Sequence, residues 1–186
     1  MSWYEDRDRL QLIARRTHRH ITLVRKRGWF WEALAVCICW LIPRDVFMTR
    51  YATTIGNFIA IPPNWTAASA EAVLAHETGH TVWFWICGLG IHPLVGVLIY
   101  GLAYVLLLPV GFNPVRFWSE LYCDRRYWRW LCEHGRGSEV LQRARTFGKA
   151  VVGRKYGWSW PKKWGASIFQ QTAWQLLIDY AKGGPR

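Results

Sequence analysis

Residues 76–80 read HETGH, two histidines four apart with a glutamate directly after the first. On a helix, positions i and i+4 project from one face. His76 and His80 can therefore offer imidazole nitrogens to one metal ion, with Glu77 at the edge of that face as a base. Zinc suits such a pair when a third ligand and a water complete its tetrahedron. A match of this form arises by chance in on the order of one chain in a few hundred of this length, so the pattern needs a further donor to carry weight.

That donor must come from a segment the chain can bring back to the same point. Between Thr81 and Val115 there is no Asp, Glu, Lys or Arg, and the next carboxylates are Glu120 and, one helical turn on, Asp124. Glu120 is the candidate third ligand. Zinc-bound histidines donate their other ring N–H to a carboxylate or carbonyl, and Asp124 is placed for that supporting role. Taken alone, the two carboxylates read as a solvated acidic stripe pairing with Arg116, Arg125 or Arg126; beside HETGH, ligation is the reading adopted.

HETGH followed by FNPVRFWSELYCD resembles the gluzincin clan of zinc metallopeptidases, in which a glutamate from a later helix completes the HExxH pair. ELYCD is similar to the ExxAD motif of the integral-membrane CAAX prenyl and heat-shock proteases, and closer still to the ELACD motif, preceded by FNP, of penicillin-sensing receptor peptidases. The resemblance spans roughly residues 50–130. It implies Zn2+ held by His76, His80 and Glu120, with Glu77 as the catalytic base, Asp124 supporting a ligand and a peptide or protein as substrate. Two features depart from the family: Thr78 and Gly79 stand where bulkier residues are usual, and no Tyr, His or Arg can be assigned by motif to stabilise an oxyanion.

These residues need elements to position them. Thr66 or Ser69 can cap a helix that carries HETGH, with Glu71 early in it, and Gly88 and Gly90 end it. A second helix spans about 115–133. Between them, PLVGVLIYGLAYVLLLPVGF, residues 93–112, is long and apolar enough to suggest a membrane span. A single crossing would strand HETGH and Glu120 on opposite sides. A helical hairpin with a return helix of about fourteen residues, or roughly 21 Å, instead brings Glu120 level with the histidines, in a protein core or dipped into one leaflet.

Upstream, residues 3–24 predict a basic surface helix ending at Gly28, and WFWEALAVCICWLI, residues 29–42, a buried or interfacial helix. RDVFMTRYATTIGNFIAIPP predicts a hairpin about Gly56-Asn57, whose second strand near Asn57–Ile61 is a candidate edge for an extended peptide. Downstream come a helix after Ser138, a loop GRKYGWSWPKKWG and a final helix ASIFQQTAWQLLIDYAK. The fold class is mainly α with a small β-hairpin or sheet (α+β), a minimal zincin-like unit built on a hydrophobic helical hairpin. The 186 residues are read as a single domain, with the metal-binding unit at 45–134, basic and aromatic helices at 1–44 and a Trp-rich extension at 135–186.

Composition bounds the setting. Fourteen tryptophans, five cysteines without zinc-ribbon or CxxC spacing, and a net charge of +12 describe a basic chain with reduced core thiols. MSWYEDRDRLQLIARR lacks the apolar run of a cleaved secretory signal, so a cytoplasmic-facing protein is expected, membrane-associated if the apolar hairpin dips into a leaflet rather than a protein core. The basic clusters Arg15, Arg16, Arg19, Arg25, Lys26, Arg27 and Arg125, Arg126, Arg129 suit either a solvated surface or a polyanion. Two further readings therefore stand beside the peptidase. One is a structural or assembly component stapled by zinc. The other is a protein that holds nucleic acid or an anionic membrane surface through the basic and aromatic residues of GRKYGWSWPKKWG.

Overall fold

The computed structural model describes residues 3–17, 19–37, 43–89, 92–106, 113–153 and 161–183. They form eight α-helices and three strands, arranged in two compact units, Met1–Val97 and Leu98–Arg186. The predicted class, mainly α with a small sheet, is what the chain adopts.

The first unit is organised by a sheet of order β1-β3-β2. Its strands are β1 (Thr22–Arg25), β2 (Thr53–Ile55) and β3 (Phe58–Ile61), with β3 parallel to β1 and antiparallel to β2. The predicted hairpin is present, turning at Gly56, whose φ of 57° is open to glycine at little cost. Strand periodicity then assigns side chains to two faces. Ile59 and Ile61 join Leu23 in a core with Leu10 and Ala14 of helix α1 (Trp3–Thr17) and Ala70 and Leu74 of helix α4 (Ala67–Cys87). Ala60 faces the other way, onto Trp31 and Ala35 of helix α2 (Trp29–Cys37) and Phe47 of helix α3 (Arg44–Arg50).

Three expectations change here. The N-terminal helix stops at Thr17, and Ile21 and Val24 belong to the strand region beyond it. Pairing with β3 satisfies that backbone, and Gln11 ties it to α1 by accepting from Leu23 N–H at 2.8 Å and donating to the Ile21 carbonyl. The segment 44–50 is helical rather than the start of the hairpin: Asp45 lies in its first turn, and Phe47 is buried. Finally, β3 is the central strand, so residues 58–61 offer no edge to a peptide; β1 and β2 are the edges. Residues 38–42 of the predicted second helix lie outside the described residues.

Helix α4 is the predicted one. Thr66 caps it by accepting from Ser69 N–H at 3.3 Å, and Gly88 follows its last residue. Glu71 lies beyond its first turn and pairs with Arg9 at 2.8 Å. The chain then turns into helix α5 (Pro93–Leu106), fourteen residues as expected, in which the boundary between the units falls. A Cβ on Gly96 would stand 1.7 Å from the Phe84 carbonyl oxygen, so α5 begins in backbone contact with α4. Residues 107–112 lie outside the described residues. Among those described, no helix is long and apolar enough to cross a membrane.

The second unit is helical. Helix α6 (Pro114–Glu133) starts at Asn113, whose side chain accepts from Arg116 N–H at 2.9 Å, with proline at the first turn where no backbone donor is missed. It packs with α7 (Val140–Val151) and α8 (Lys162–Ala181) around Trp128, Phe117, Leu131, Val140 and Phe169. Of the predicted loop 153–165, Lys162–Gly165 form the first turn of α8 instead, after Pro161, and 154–160 lie outside the described residues.

Candidate metal centre

Helix α4 carries His76 and His80 through its middle, with no break at Gly79. Their rings stand 5.1 Å apart, centroid to centroid, and inclined at 68°. Both are partly accessible, whereas the intervening Glu77, Thr78 and Gly79 are buried. The two imidazoles thus share one face of α4 that is less buried than the residues between them.

Glu77 is 8% exposed, and its position is fixed by the sheet. Thr54 of the edge strand β2 donates to Glu77 Oε2 at 2.6 Å, and the same hydroxyl lies 3.3 Å from the Glu77 carbonyl oxygen. A hydrogen bond to a carboxylate is stronger than a neutral one and fixes the rotamer as well as the charge. Such a bond leaves the other carboxylate oxygen for a second partner. Thr54 escaped the sequence reading because only pairing with β3 turns it toward α4.

Lys26 is the second unforeseen residue. Within a run of basic residues it reads as solvated, yet it is 1% exposed at the end of β1. Its Nζ donates to the Phe47 carbonyl at 3.0 Å and lies 3.5 Å from the centre of the Phe47 ring. Burial pulls this ammonium down from its usual range to about 7, against the opposing pull of the Glu77 charge. Lys26 and Glu77 therefore feel one another through the interior of the first unit. No sequence signal marks a lysine for burial.

The other predicted site residues stand on α6, in the second unit. Glu120 and Asp124 are one turn apart and are 3% and 4% exposed, so neither belongs to the solvated acidic stripe considered from sequence. Native chains withdraw carboxylates from water where hydrogen bonds, an opposite charge or a metal compensates them. Cys123 lies between them and is fully buried. Sequence alone makes it a core thiol, but its place on the turn of Glu120 makes it a further potential donor.

No protein-family model matches this chain, and neither the curated proteins nor the solved structures give a match.

Proposed function

We propose that the chain is a zinc-dependent peptidase in which His76 and His80 of α4, together with Glu120 of α6, hold the metal. The observation that carries the reading is the α4 arrangement: two accessible imidazoles one turn apart, beside a buried glutamate whose carboxylate is held by Thr54. A donor set of two imidazoles and a carboxylate fits zinc, and a thiolate from Cys123 is a second candidate on the α6 side. Zinc bound there would polarise the scissile carbonyl and acidify a water molecule.

The remaining work falls to the chain's own side chains. Glu77 takes the proton of the attacking water and returns it to the leaving amine, which a carboxylate held in one rotamer can do repeatedly. Thr54 holds Glu77 in that rotamer. Asp124 is the carboxylate that would accept the outward N–H of a histidine ligand and fix its tautomer. Edge strand β2, rather than β3, is the side of the sheet on which an extended peptide can pair within reach of Glu77.

The test is zinc content by mass spectrometry and cleavage of fluorescein-labelled casein by the full chain and by Glu77→Gln, His76→Ala and Glu120→Gln. One zinc per chain, lost in His76→Ala and weakened in Glu120→Gln, is expected. Casein cleavage should fall at least about a hundredfold in Glu77→Gln, as for removal of a general base. Stoichiometric zinc without turnover would make the metal a structural staple. Unchanged cleavage in Glu77→Gln would remove Glu77 from the chemistry.

A further inference from the structure

Helix α8 buries one face and leaves two tryptophans on the other. Phe169, Ala173 and Leu176 enter the core of the second unit, while Trp164 is 70% exposed and Trp174 56%. Ten residues separate the two indoles, about 15 Å along the axis and about 80° around it, so they share the outer side of the helix. Ser167, Gln170 and Gln171, all exposed, lie between them. These three, with Trp174 and with Leu141 of α7, line an open depression of about 510 Å³, within the size range of ligand sites.

Helix α7 supplies a basic flank. A Cβ on Gly148 would lie 2.8 Å from the Phe169 Cβ and 3.5 Å from the Ala166 Cα, whereas Leu141, seven residues earlier, lines the depression with Trp174. The two helices therefore run antiparallel, and Leu141, Arg145 and Lys149, each one turn from the last, follow α8 from Trp174 toward Trp164. Arg145 and Lys149 are exposed. Glu139 is engaged by Arg136 at 2.6 Å and by Arg143 at 3.7 Å, and Asp179 accepts from Gln175 at 2.8 Å. Among the described residues, no carboxylate pairs with Arg145 or Lys149. Residues 98–186 hold fourteen Lys and Arg against five Asp and Glu, nine of the chain's net charge of +12.

This combination selects the occupant. Lipid chains would have to bury the hydroxyl and amides that lie between the indoles, and a second copy would bring like charge against itself. A single strand of nucleic acid meets all three features: bases stack on the indoles, amide side chains donate and accept at base edges, and phosphates meet Arg145 and Lys149. A duplex keeps its bases stacked on one another and leaves the indoles without a role. We propose that the outer side of α8, flanked by Arg145 and Lys149 of α7, is a binding site for single-stranded nucleic acid, with Trp164 and Trp174 as its stacking platforms.

Fluorescence anisotropy of the full chain with fluorescein-labelled oligo(dT), oligo(rU) and a mixed-sequence duplex, each of about twenty nucleotides, tests this. Single strands are expected to bind at least about tenfold more tightly than the duplex at the same salt, and the ratio of oligo(dT) to oligo(rU) affinity tells whether the strand is DNA or RNA. Trp174→Ala should weaken single-strand binding at least about fivefold, with helical circular dichroism unchanged because the indole is exposed, and Trp174→Phe should restore most of it. Arg145→Ala/Lys149→Ala should flatten the dependence of log Kd on log salt by about 1.4, the loss of two phosphate contacts to a single strand. Undiminished binding in Trp164→Ala/Trp174→Ala, or a duplex bound as tightly as single strands, would overturn the inference. So would displacement of oligo(dT) by poly-glutamate as effective as displacement by unlabelled oligo(dT), since the groove would then take acidic peptide.

Discussion

The first unit buries Lys26, Glu77, Thr78 and Thr81, with the Lys26 ammonium over the Phe47 ring. The second surrounds Trp128 with Phe117, Phe169, Leu131 and Val140, and among the described residues its buried polar groups are Asn113, Ser119, Glu120 and Asp124, from the cap to the middle of α6. Its ion pair between Arg136 and Glu139, at 2.6 Å, is at the surface and contributes little to stability. Polar burial is costly, and apart from Lys26 it gathers on α4 and on α6 with its Asn113 cap, the helices that carry the proposed ligands. The difference separates residues that hold the molecule together from those kept at a cost for a site. It also implies that the units fail in different ways, by lost packing in one and by changed protonation in the other.

The largest test of that contrast is Phe169→Ala. Phe169 is fully buried, with its ring 6.0 Å from Trp128 and 5.5 Å from Phe117 in near-perpendicular contacts. A Cβ on Gly148 would lie 2.8 Å from the Phe169 Cβ, so α7 and α8 are already at close approach and can collapse little further. Removing the ring should cost about 3–5 kcal/mol, read as the urea midpoint, with little change between acid and alkaline buffer. A loss below about 1 kcal/mol would mean that this core relaxes freely and is less jigsaw-like than its geometry suggests.

The two helix caps give the next test, because similar devices stand in different surroundings. Thr66 is exposed and accepts from Ser69, so Thr66→Ala should cost about 0.5–1 kcal/mol. Asn113 is fully buried, accepts from Arg116 N–H and donates to the Ala103 carbonyl at 3.0 Å. Asn113→Ala strips partners from two part-buried backbone groups and should cost about 1–3 kcal/mol. Equal losses in the two thermal melts would show that burial adds nothing to a cap here.

What could be foreseen divides along similar lines. Helix α4 was legible because its cap, its length and its glycine stop are all local, and α5 because fourteen apolar residues after a turn leave few alternatives. The pair His76 and His80 was legible from spacing alone. Strand β1 was not: residues 3–24 read as one basic surface helix, and only parallel pairing with β3, distant in sequence, makes Ile21 and Val24 part of a strand region. Thr54 and Lys26 were missed for the same reason. Their roles exist only once the sheet has formed and packed on α4, and neither residue type announces it. Cys123 was visible in ELYCD, but a buried thiol is ordinary core filling until a neighbouring helix face suggests otherwise.

The smallest expected effect is also the one most particular to the first unit. Lys26 titrates near 7 when folded and, like any solvated lysine, near 10.5 when unfolded. Between those values the unfolded chain holds a proton that the folded chain has given up, so stability rises with pH across that window. Below it, the folded protein keeps a buried ammonium and bears the full burial penalty. Lys26→Met fills the same space without a charge but loses the bond to the Phe47 carbonyl. The variant should therefore compare better with wild type near pH 7 than near pH 8, with its melting temperature relative to wild type falling by about 3 °C between them, roughly 1 kcal/mol. Glu77→Gln removes the charge that favours the ammonium and should move the inflection of the stability profile below 7. If the melting difference between Lys26→Met and wild type is the same at both pH values, Lys26 is not a buried titrating group. The polar interior of the first unit would then be coupled to Glu77 only through Thr54.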